Sequence, residues 1–598
     1  MQTIERKSIK GGEFLIKETE AAQVFIPEEF TEEQRMVANT CREFLEREIY
    51  PRLDEIDQAK TNDLMVSLMD KAGELGLLGT SIPEQYGGFG MNFNTSMLVA
   101  DVTGPGCSFA VALSAHTGIG TLPILYYGNE EQKARYLPKL ATGEWKAAYC
   151  LTEPDSGSDA NAAKTRATLT ADGQHYSLTG QKMWITNGGF ADLFIVFAKI
   201  DNDKNLTAFI VERGHGGITM NEEEKKMGIK GSSTRQVFFN DCLVPVENLL
   251  SNRENGFKIA VNILNIGRIK LAAAGIGASK QTINHAVNYA NERKQFGVSI
   301  ASFGAIKHKL ATQIMKTYAT ESASYRAGQN IEDAIEDLIE AGMPEAEAKL
   351  KGVEQFAIEC ALMKVHGSEA LSYVVDEGVQ IYGGMGYSAD APMDRAYRDA
   401  RINRIFEGTN EINRMLAVGT IVKRAMKGEL NIMGPAMAVA KEIMSIPDLA
   451  AEEPEGMFVE EKKVLKNLKK ALLMTAGAAL QKFGPAFERE QEIMLNLADM
   501  LIEVYVAEST LLRTEKLIGL RGEAATALHK DMALVYLHEA VEKINQAGKA
   551  AVTSFAEGDE LRGMLMGLKR FTKIAPLNLK EMRRRIADHA IAKNRYPF

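Results

Sequence analysis

Cysteine is scarce in this 598-residue chain: Cys41, Cys107, Cys150, Cys242 and Cys360 are widely spaced and form no Cys-x-x-Cys pair. That excludes a disulfide framework and a zinc knuckle, leaves no metal site to propose, and fits a reducing compartment. Basic charge is not in excess either. The 70 Lys+Arg against 79 Asp+Glu leave a net charge of −9, which gives no ground for nucleic acid as a partner. No stretch reaches the ~18 apolar residues of a membrane span; the nearest, Ala471 to Leu480, is about half as long. The opening MQTIERKSIKGGEF has neither the apolar run of a secretory signal nor the Arg/Ser-rich, acid-poor face of a transit peptide. A cytoplasmic location of bacterial type is expected, with peripheral membrane attachment as the alternative.

What is present is a chain long enough for about four domain-sized units. Its charge is uneven: residues 1–430 hold 46 basic and 56 acidic side chains, residues 431–598 hold 24 and 23. Texture divides it further. Residues 30–148 read as a helical domain: Met36, Cys41, Phe44 and Leu45, then Leu64, Leu68 and Ala72, fit an amphipathic helix from Glu32 to about Leu78, and Asn129 is a helix start. Residues 149–255 carry short β-rich runs (Tyr176 to Ile185, Leu193 to Ile200, Ala208 to Val211, Gln236 to Phe239) separated by glycine turns, which predicts an antiparallel sheet or small barrel. Residues 256–430 return to long helices. Residues 431–598 begin with a linker (Gly434-Pro435, Pro447, Glu452 to Gly456) and continue with helical periodicity from about Val459 to Phe555. The expected fold is mainly α with an inserted β domain.

Three motifs carry candidate chemistry. Cys150-Leu-Thr-Glu-Pro-Asp-Ser-Gly-Ser-Asp159 offers small residues and exposed amides to a flavin edge or a phosphate, although composition alone favours a plain surface loop. Lys182-Met-Trp-Ile-Thr-Asn-Gly188 places one of two tryptophans on a strand, where a core role is the simpler reading. The third is Gln380-Ile-Tyr-Gly-Gly-Met-Gly-Tyr387, then Asp394 to Arg401, then Ile405-Phe-Glu-Gly-Thr-Asn-Glu411. Glu407, between Phe406 and Gly408, is placed for the partial desolvation that raises a carboxylate's basicity, as a general base requires. Arg395, Arg398, Arg401 and Arg404 recur every three residues, by pattern a charged helix face.

In this order and spacing the motifs resemble the acyl-CoA dehydrogenase family over about residues 30–425, closest to its very-long-chain branch. The match runs through Thr152-Glu-Pro, Gly157-Ser-Asp159, the Trp-Ile-Thr strand, Gln380, Gly383-Gly384, Gly386, Arg395 and Asp399. The resemblance implies FAD as cofactor. Tyr149, Cys150, Leu151 and Thr152 would contact the isoalloxazine; Gly157 and Ser158 would serve the pyrophosphate, Ser158 also the CoA; Trp184 and Ile185 would lie along the other face, with Thr186 at N5. Arg293, Phe296 and Phe303 would bind the FAD of a neighbouring subunit, with Gln380, Gly383, Gly384 and Thr409 completing that cradle, which implies a homodimer. Glu407 occupies the catalytic-base position and Gly408 follows it against the substrate. Some branches carry the base directly before an Arg that matches Arg268; here that position is Gly267. Arg268 and Asn265 would hold the CoA end of the substrate.

The resemblance further implies a long-chain acyl-CoA substrate, since small Ser114 and Ala115 stand where medium-chain members close the pocket, and electron-transfer flavoprotein as acceptor. An acyl-CoA oxidase that uses oxygen and a scaffold or assembly role are the competing readings. The last 30 residues hold nine basic and two acidic side chains, a pattern suited either to an anionic membrane surface or to docking on the acidic body.

Overall fold

The computed structural model describes residues 9–444 and 456–598. An N-terminal arm of three 3-10 turns leads into the first helical domain: α1 (Glu32–Phe44), α2 (Leu53–Gln58), α3 (Asp63–Glu74), α4 (Phe93–Thr103), α5 (Ser108–Ser114), α6 (Leu122–Tyr127) and α7 (Glu130–Thr142). Local chemistry sets the starts. Asn129 caps α7 by accepting the Gln132 amide while Gln132 reaches back to the Asn129 amide, satisfying two donors that helix geometry leaves free. The single helix expected from Glu32 to Leu78 is broken, by a π turn at Leu45–Ile49, a 3-10 turn at Tyr50–Arg52 and the gap before α3. Pro51 lacks the amide that would continue the ladder.

The β domain holds β1 (Ala147–Cys150), β2 (Arg166–Leu169), β3 (His175–Thr186), β4 (Leu193–Ile200), β5 (Thr207–Glu212), β6 (Ile218–Met220), β7 (Thr234–Pro245) and β8 (Leu249–Leu250). Strands pair in the order β6-β7-β3-β2-β4-β5-β8, with β1 added to β4. The sheet is not wholly antiparallel as expected: β1 and β2 both pair in parallel with β4, Ala147 opposite Leu193 and Arg166 opposite Lys199. Leu193–Ile200, apolar at every position but Lys199, is buried at seven of its eight positions and so on both faces, the pattern of a central strand.

The bundle follows, with α8 (Gly256–Glu292), a hairpin of β9 (Lys294–Gln295) and β10 (Val298–Ser299), α9 (Gly304–Glu340), α10 (Glu345–Gln355), α11 (Ala357–Tyr382), α12 (Pro392–Ala400) and α13 (Asn410–Met426). By length and composition α8 is apolar enough to cross a membrane, but 72% of its most apolar window is buried inside the protein, so its apolarity is that of a core helix. Gly434-Pro435 does not act as a linker: it lies in the first turn of α14 (Met433–Met444), while Pro447 and Glu452–Glu455 fall outside the described residues.

The extension comprises α15 (Val459–Phe483), α16 (Gln491–Arg521), α17 (Glu523–Thr553), α18 (Gly558–Phe571) and α19 (Leu579–Lys593), two helices beyond the expected periodicity. It docks on the body through apolar packing and buried charge. Phe14 of the N-terminal arm meets Tyr505 edge-on at 4.8 Å. Arg513 donates to Glu321 of α9 and to Glu28 of the arm, both at 2.7 Å, and Arg326 donates to Glu508 at 2.9 Å beside a Lys469–Glu508 bond. Glu508→Ala leaves two cations buried without their anion. It is expected to destabilise the docked extension by about 3–5 kcal/mol, read as a lower midpoint in chemical denaturation, whereas an unchanged midpoint refutes the clamp. The basic tail pairs mainly within the extension. Arg583 and Arg585 of α19 pair with Glu539 at 2.8 Å and Asp531 at 2.7 Å, both in α17, while the tail's Asp588 pairs with Lys307 of α9 at 2.6 Å.

Candidate active site

A cavity of about 480 Å³ lies between α4, α5, α8 and the loop that precedes α13. Thr186 at the end of β3, Gly267 on α8, Ser114, Ala115 and Glu407 all line it. The elements are locked around it by polar side chains. Asn187 donates to the Ala112 carbonyl of α5 at 3.0 Å and to that of Ala147 in β1 at 3.3 Å. His116, in a second π turn (Ala115–Gly120), accepts the Ala147 amide at Nδ1 (3.0 Å) and lies 2.9 Å from the Leu140 carbonyl through Nε2. Those partners assign a neutral ring protonated at Nε2, in keeping with burial that pushes its pKa down to about 4.

Glu407 sits in a left-handed pair, φ 59° followed by φ 82° at Gly408. A non-glycine residue in that region is unfavourable and persists only where its surroundings hold it. Here they do. Asn413 donates to the Gly408 carbonyl at 2.8 Å and the Glu407 carbonyl at 3.3 Å, Arg268 donates to the Glu407 carbonyl at 3.2 Å, and Lys364 donates to the Gly408 carbonyl at 2.7 Å. Thr409 caps α13 by accepting the Ile412 amide at 3.3 Å. The carboxylate lies against Gly267, where an added Cβ would stand 2.9 Å from Oε2. Oε2 is buried with no hydrogen-bond partner.

Desolvation pushes the Glu407 pKa up to about 7, with Arg268 and Lys364 pulling the other way. Burial lowers Lys364 to about 8. Removing the Lys364 charge disfavours the carboxylate, so Lys364→Met is expected to move the base's pKa above 7. The acid limb of the kcat/KM profile would then shift to higher pH; a limb that stays in place refutes the coupling.

The other predicted residues divide into groups. Tyr149 and Cys150 belong to β1 itself, so the first motif begins inside a strand rather than before one. Leu151 and Thr152 follow it and are tied to the second motif: Met183 donates to the Thr152 carbonyl at 2.8 Å and Lys182 to the Leu151 carbonyl at 3.2 Å. Gly157 and Ser158 form an exposed loop, and a Cβ at Gly157 would meet nothing within 4 Å. Trp184 is not a core residue. The β3–β7 register shifts between Lys182 and Ile185, and this bulge turns Trp184 outward at φ 61°, 52% exposed, while Ile185 stays buried. A free aromatic face, open small residues and Thr186 in the cavity form a donor set that fits a flavin.

Arg268 and Asn265 are not at an exposed CoA end. They are buried beneath the Glu407 loop, with Arg268 donating to Asn265 at 2.6 Å. Arg293, Phe296 and Phe303 gather at the opposite end of α8, where Phe296 is 94% exposed and meets Phe303 edge-on at 6.0 Å. Gln380, Gly383 and Gly384 join them through the Tyr289–Tyr382 stack at 4.0 Å. The 26 residue steps along α8 and its cap from Gly267 to Arg293 correspond to about 39 Å. Thr409 therefore belongs with the base and not with this cradle. Nor is the arginine run a plain solvated face, since Arg395 turns inward to Asp57 at 2.8 Å and to Asp54.

Several supporting residues escaped the sequence. Glu153 is buried, accepts Lys182 at 2.7 Å and the Thr165 amide at 3.1 Å, and so fixes the first motif. Asn410 accepts Lys364 at 2.8 Å and donates to Glu369 at 3.0 Å; Arg414 joins Glu369 (2.8 and 2.9 Å) to Asp499 of α16 (2.7 Å). Only the acidic and basic residue types were visible, and partners 12 to 85 positions apart carry no local signal.

A buried carboxylate of raised basicity, facing a largely apolar cavity, is a group suited to take a proton from a weak carbon acid. The chain belongs to the acyl-CoA dehydrogenase family. Models of that family's N-terminal domain match residues 31–144, of its middle domain 148–242, and of its C-terminal domain 254–421; a second acyl-CoA dehydrogenase C-terminal model matches 467–570, within the extension. A probable acyl-CoA dehydrogenase of Bacillus subtilis (strain 168) is 46% identical over 588 residues, 98% of each chain. The human mitochondrial very long-chain specific acyl-CoA dehydrogenase is 43% identical over 375 residues, 60% of this chain and 54% of that one. A crystal structure of an acyl-CoA dehydrogenase complexed with FAD from Bacillus anthracis superposes with a TM-score of 0.95 at 46% identity, covering 99% of this chain and 100% of the other. The family and fold expected from the motifs are thus borne out.

Proposed function

We propose that this acyl-CoA dehydrogenase binds FAD, oxidises long-chain acyl-CoA to trans-2-enoyl-CoA, and passes the electrons to electron-transfer flavoprotein. The observation that carries the reading is the position of Glu407 on a cavity whose lining follows α8 from Gly267 to His285. Those 18 residue steps span about 27 Å, whereas an acyl chain filling one bilayer leaflet spans about 15 Å. Small Ser114 and Ala115 line its wall.

Glu407 takes the α-proton on its carboxylate, whose buried Oε2 accepts no hydrogen bond. The clamp from Asn413, Lys364 and Arg268 holds the carboxylate at a fixed distance from the chain, so little reorganisation accompanies transfer. FAD, when bound, supplies the acceptor for the β-hydrogen. The loop from Leu151 to Ser158 and the Trp184–Thr186 segment would hold its ring and pyrophosphate. The second cradle, about 39 Å along α8, is too distant to share that ring within one chain. It is therefore read as holding the FAD of a second copy, in a homodimer.

The test is anaerobic addition of acyl-CoAs of graded chain length to the purified holoenzyme, following flavin absorbance. Bleaching that peaks with long chains supports the reading; a peak at short chains overturns the substrate assignment, and aerobic peroxide production without an acceptor overturns the acceptor.

A further inference from the structure

The acyl cavity contains a cation that proton abstraction does not use. Lys270 lies on α8 one turn beyond Gly267, on a lining face otherwise made by Ile263, Ile266, Leu271 and Ala274. Among the described residues its ammonium takes part in no hydrogen bond or ion pair, and burial alone pushes its pKa down to about 8. A side chamber of about 140 Å³ shares Lys270 and Ile266 with the main cavity. Its carboxylates are otherwise engaged: Glu345 pairs with Lys349 at 2.6 Å and Glu332 accepts the Phe93 amide at 2.6 Å, while Glu336 also has a partner. A plain hydrocarbon chain on this face would leave a desolvated ammonium with no counter-charge, an unfavourable arrangement that an anionic ligand group removes.

We propose that Lys270 is a recognition site for a carboxylate carried on the acyl chain, so that the enzyme accepts the mono-CoA thioesters of dicarboxylic acids, their distal carboxylate paired with the Lys270 ammonium. The proposal rests on the acyl-CoA reading of the cavity. It adds a second fixed point to the substrate. Glu407 sets the reacting carbons, Lys270 sets the far carboxylate, and the axial rise between Gly267 and Lys270 is about 4.5 Å before the reach of the side chain. Dicarboxylyl chains should therefore show their own length optimum, independent of that for plain chains.

The experiment measures kcat/KM for holoenzyme, Lys270→Met and Lys270→Arg on matched series of monocarboxylyl- and dicarboxylyl-CoAs of graded length. The expected result is an interior optimum in the dicarboxylyl series, lost by at least thirtyfold in Lys270→Met, chiefly through KM, and largely kept in Lys270→Arg. Methionine matches the length and apolar character of the lysine stem, and retained FAD absorbance confirms that the variant is folded. A dicarboxylyl-to-monocarboxylyl ratio that is the same in wild type and Lys270→Met at every length overturns the Lys270 assignment alone. Wild-type protein that oxidises neither series overturns the acyl-CoA reading and this proposal with it.

Discussion

Glu407→Gln is expected to lower turnover by roughly 10²–10⁴-fold, the scale of a lost general base, while substrate still binds and KM changes little. The amide keeps the shape of the carboxylate and its place against Gly267 but cannot accept the α-proton. A stability readout separates this from misfolding. The folded pKa of Glu407, about 7, is raised above the usual 4.5, so the native state holds its proton more tightly than the unfolded chain. That contribution is fully present below about pH 4.5 and is lost as pH rises to about 7, a change of about 3 kcal/mol. Glutamine has no such dependence. The Tm of the variant should therefore gain on the wild type between pH 4.5 and 7, and a constant difference across that range would show that the carboxylate is not desolvated.

The second large effect is on chain length. Ser114 is exposed to the cavity at the end of α5, so a larger side chain there enters the space and not the packed core. Ser114→Phe should exclude about four methylenes. At about 0.8 kcal/mol for each buried CH₂, the loss is about 3 kcal/mol, roughly a hundredfold in kcat/KM for long acyl-CoA. Short acyl-CoAs should lose far less, and the optimum should move to shorter chains. An equal loss at all lengths would mean that Ser114 does not border the path of the chain.

Parts of this design were legible in residues alone because their physics is local. The Asn129–Gln132 cap and the apolar run of β4 depend on neighbours within a few positions, as does the Asn413 contact to the Glu407-Gly408-Thr409 loop, whereas Arg268 and Lys364, which also hold that loop, stand 139 and 44 positions away. The π turns at Leu45–Ile49 and Ala115–Gly120 were not legible, since the helical periodicity on either side is hardly disturbed. Four-residue β1 and β2 are set by pairing with β4 rather than by their own composition. The bulge that exposes Trp184 depends on how β7 aligns, which β3 alone does not encode. The same holds for Lys364, Glu153 and Lys270, whose importance comes from what surrounds them after folding.

Arg414 gives the extension a meaning beyond its bulk. One edge of this guanidinium serves Glu369, beside the loop that holds the base, and its Nε serves Asp499 in α16. A chain ending near residue 430 would thus be a catalytic body with an open electrostatic circuit, not a smaller version of the same enzyme. Physical presence of the extension, not peptide continuity, is what closes that circuit. Severing the backbone between residues 444 and 456 after folding should leave two fragments that co-elute and still turn over, whereas a body made without the extension should not recover that activity until the missing fragment is supplied.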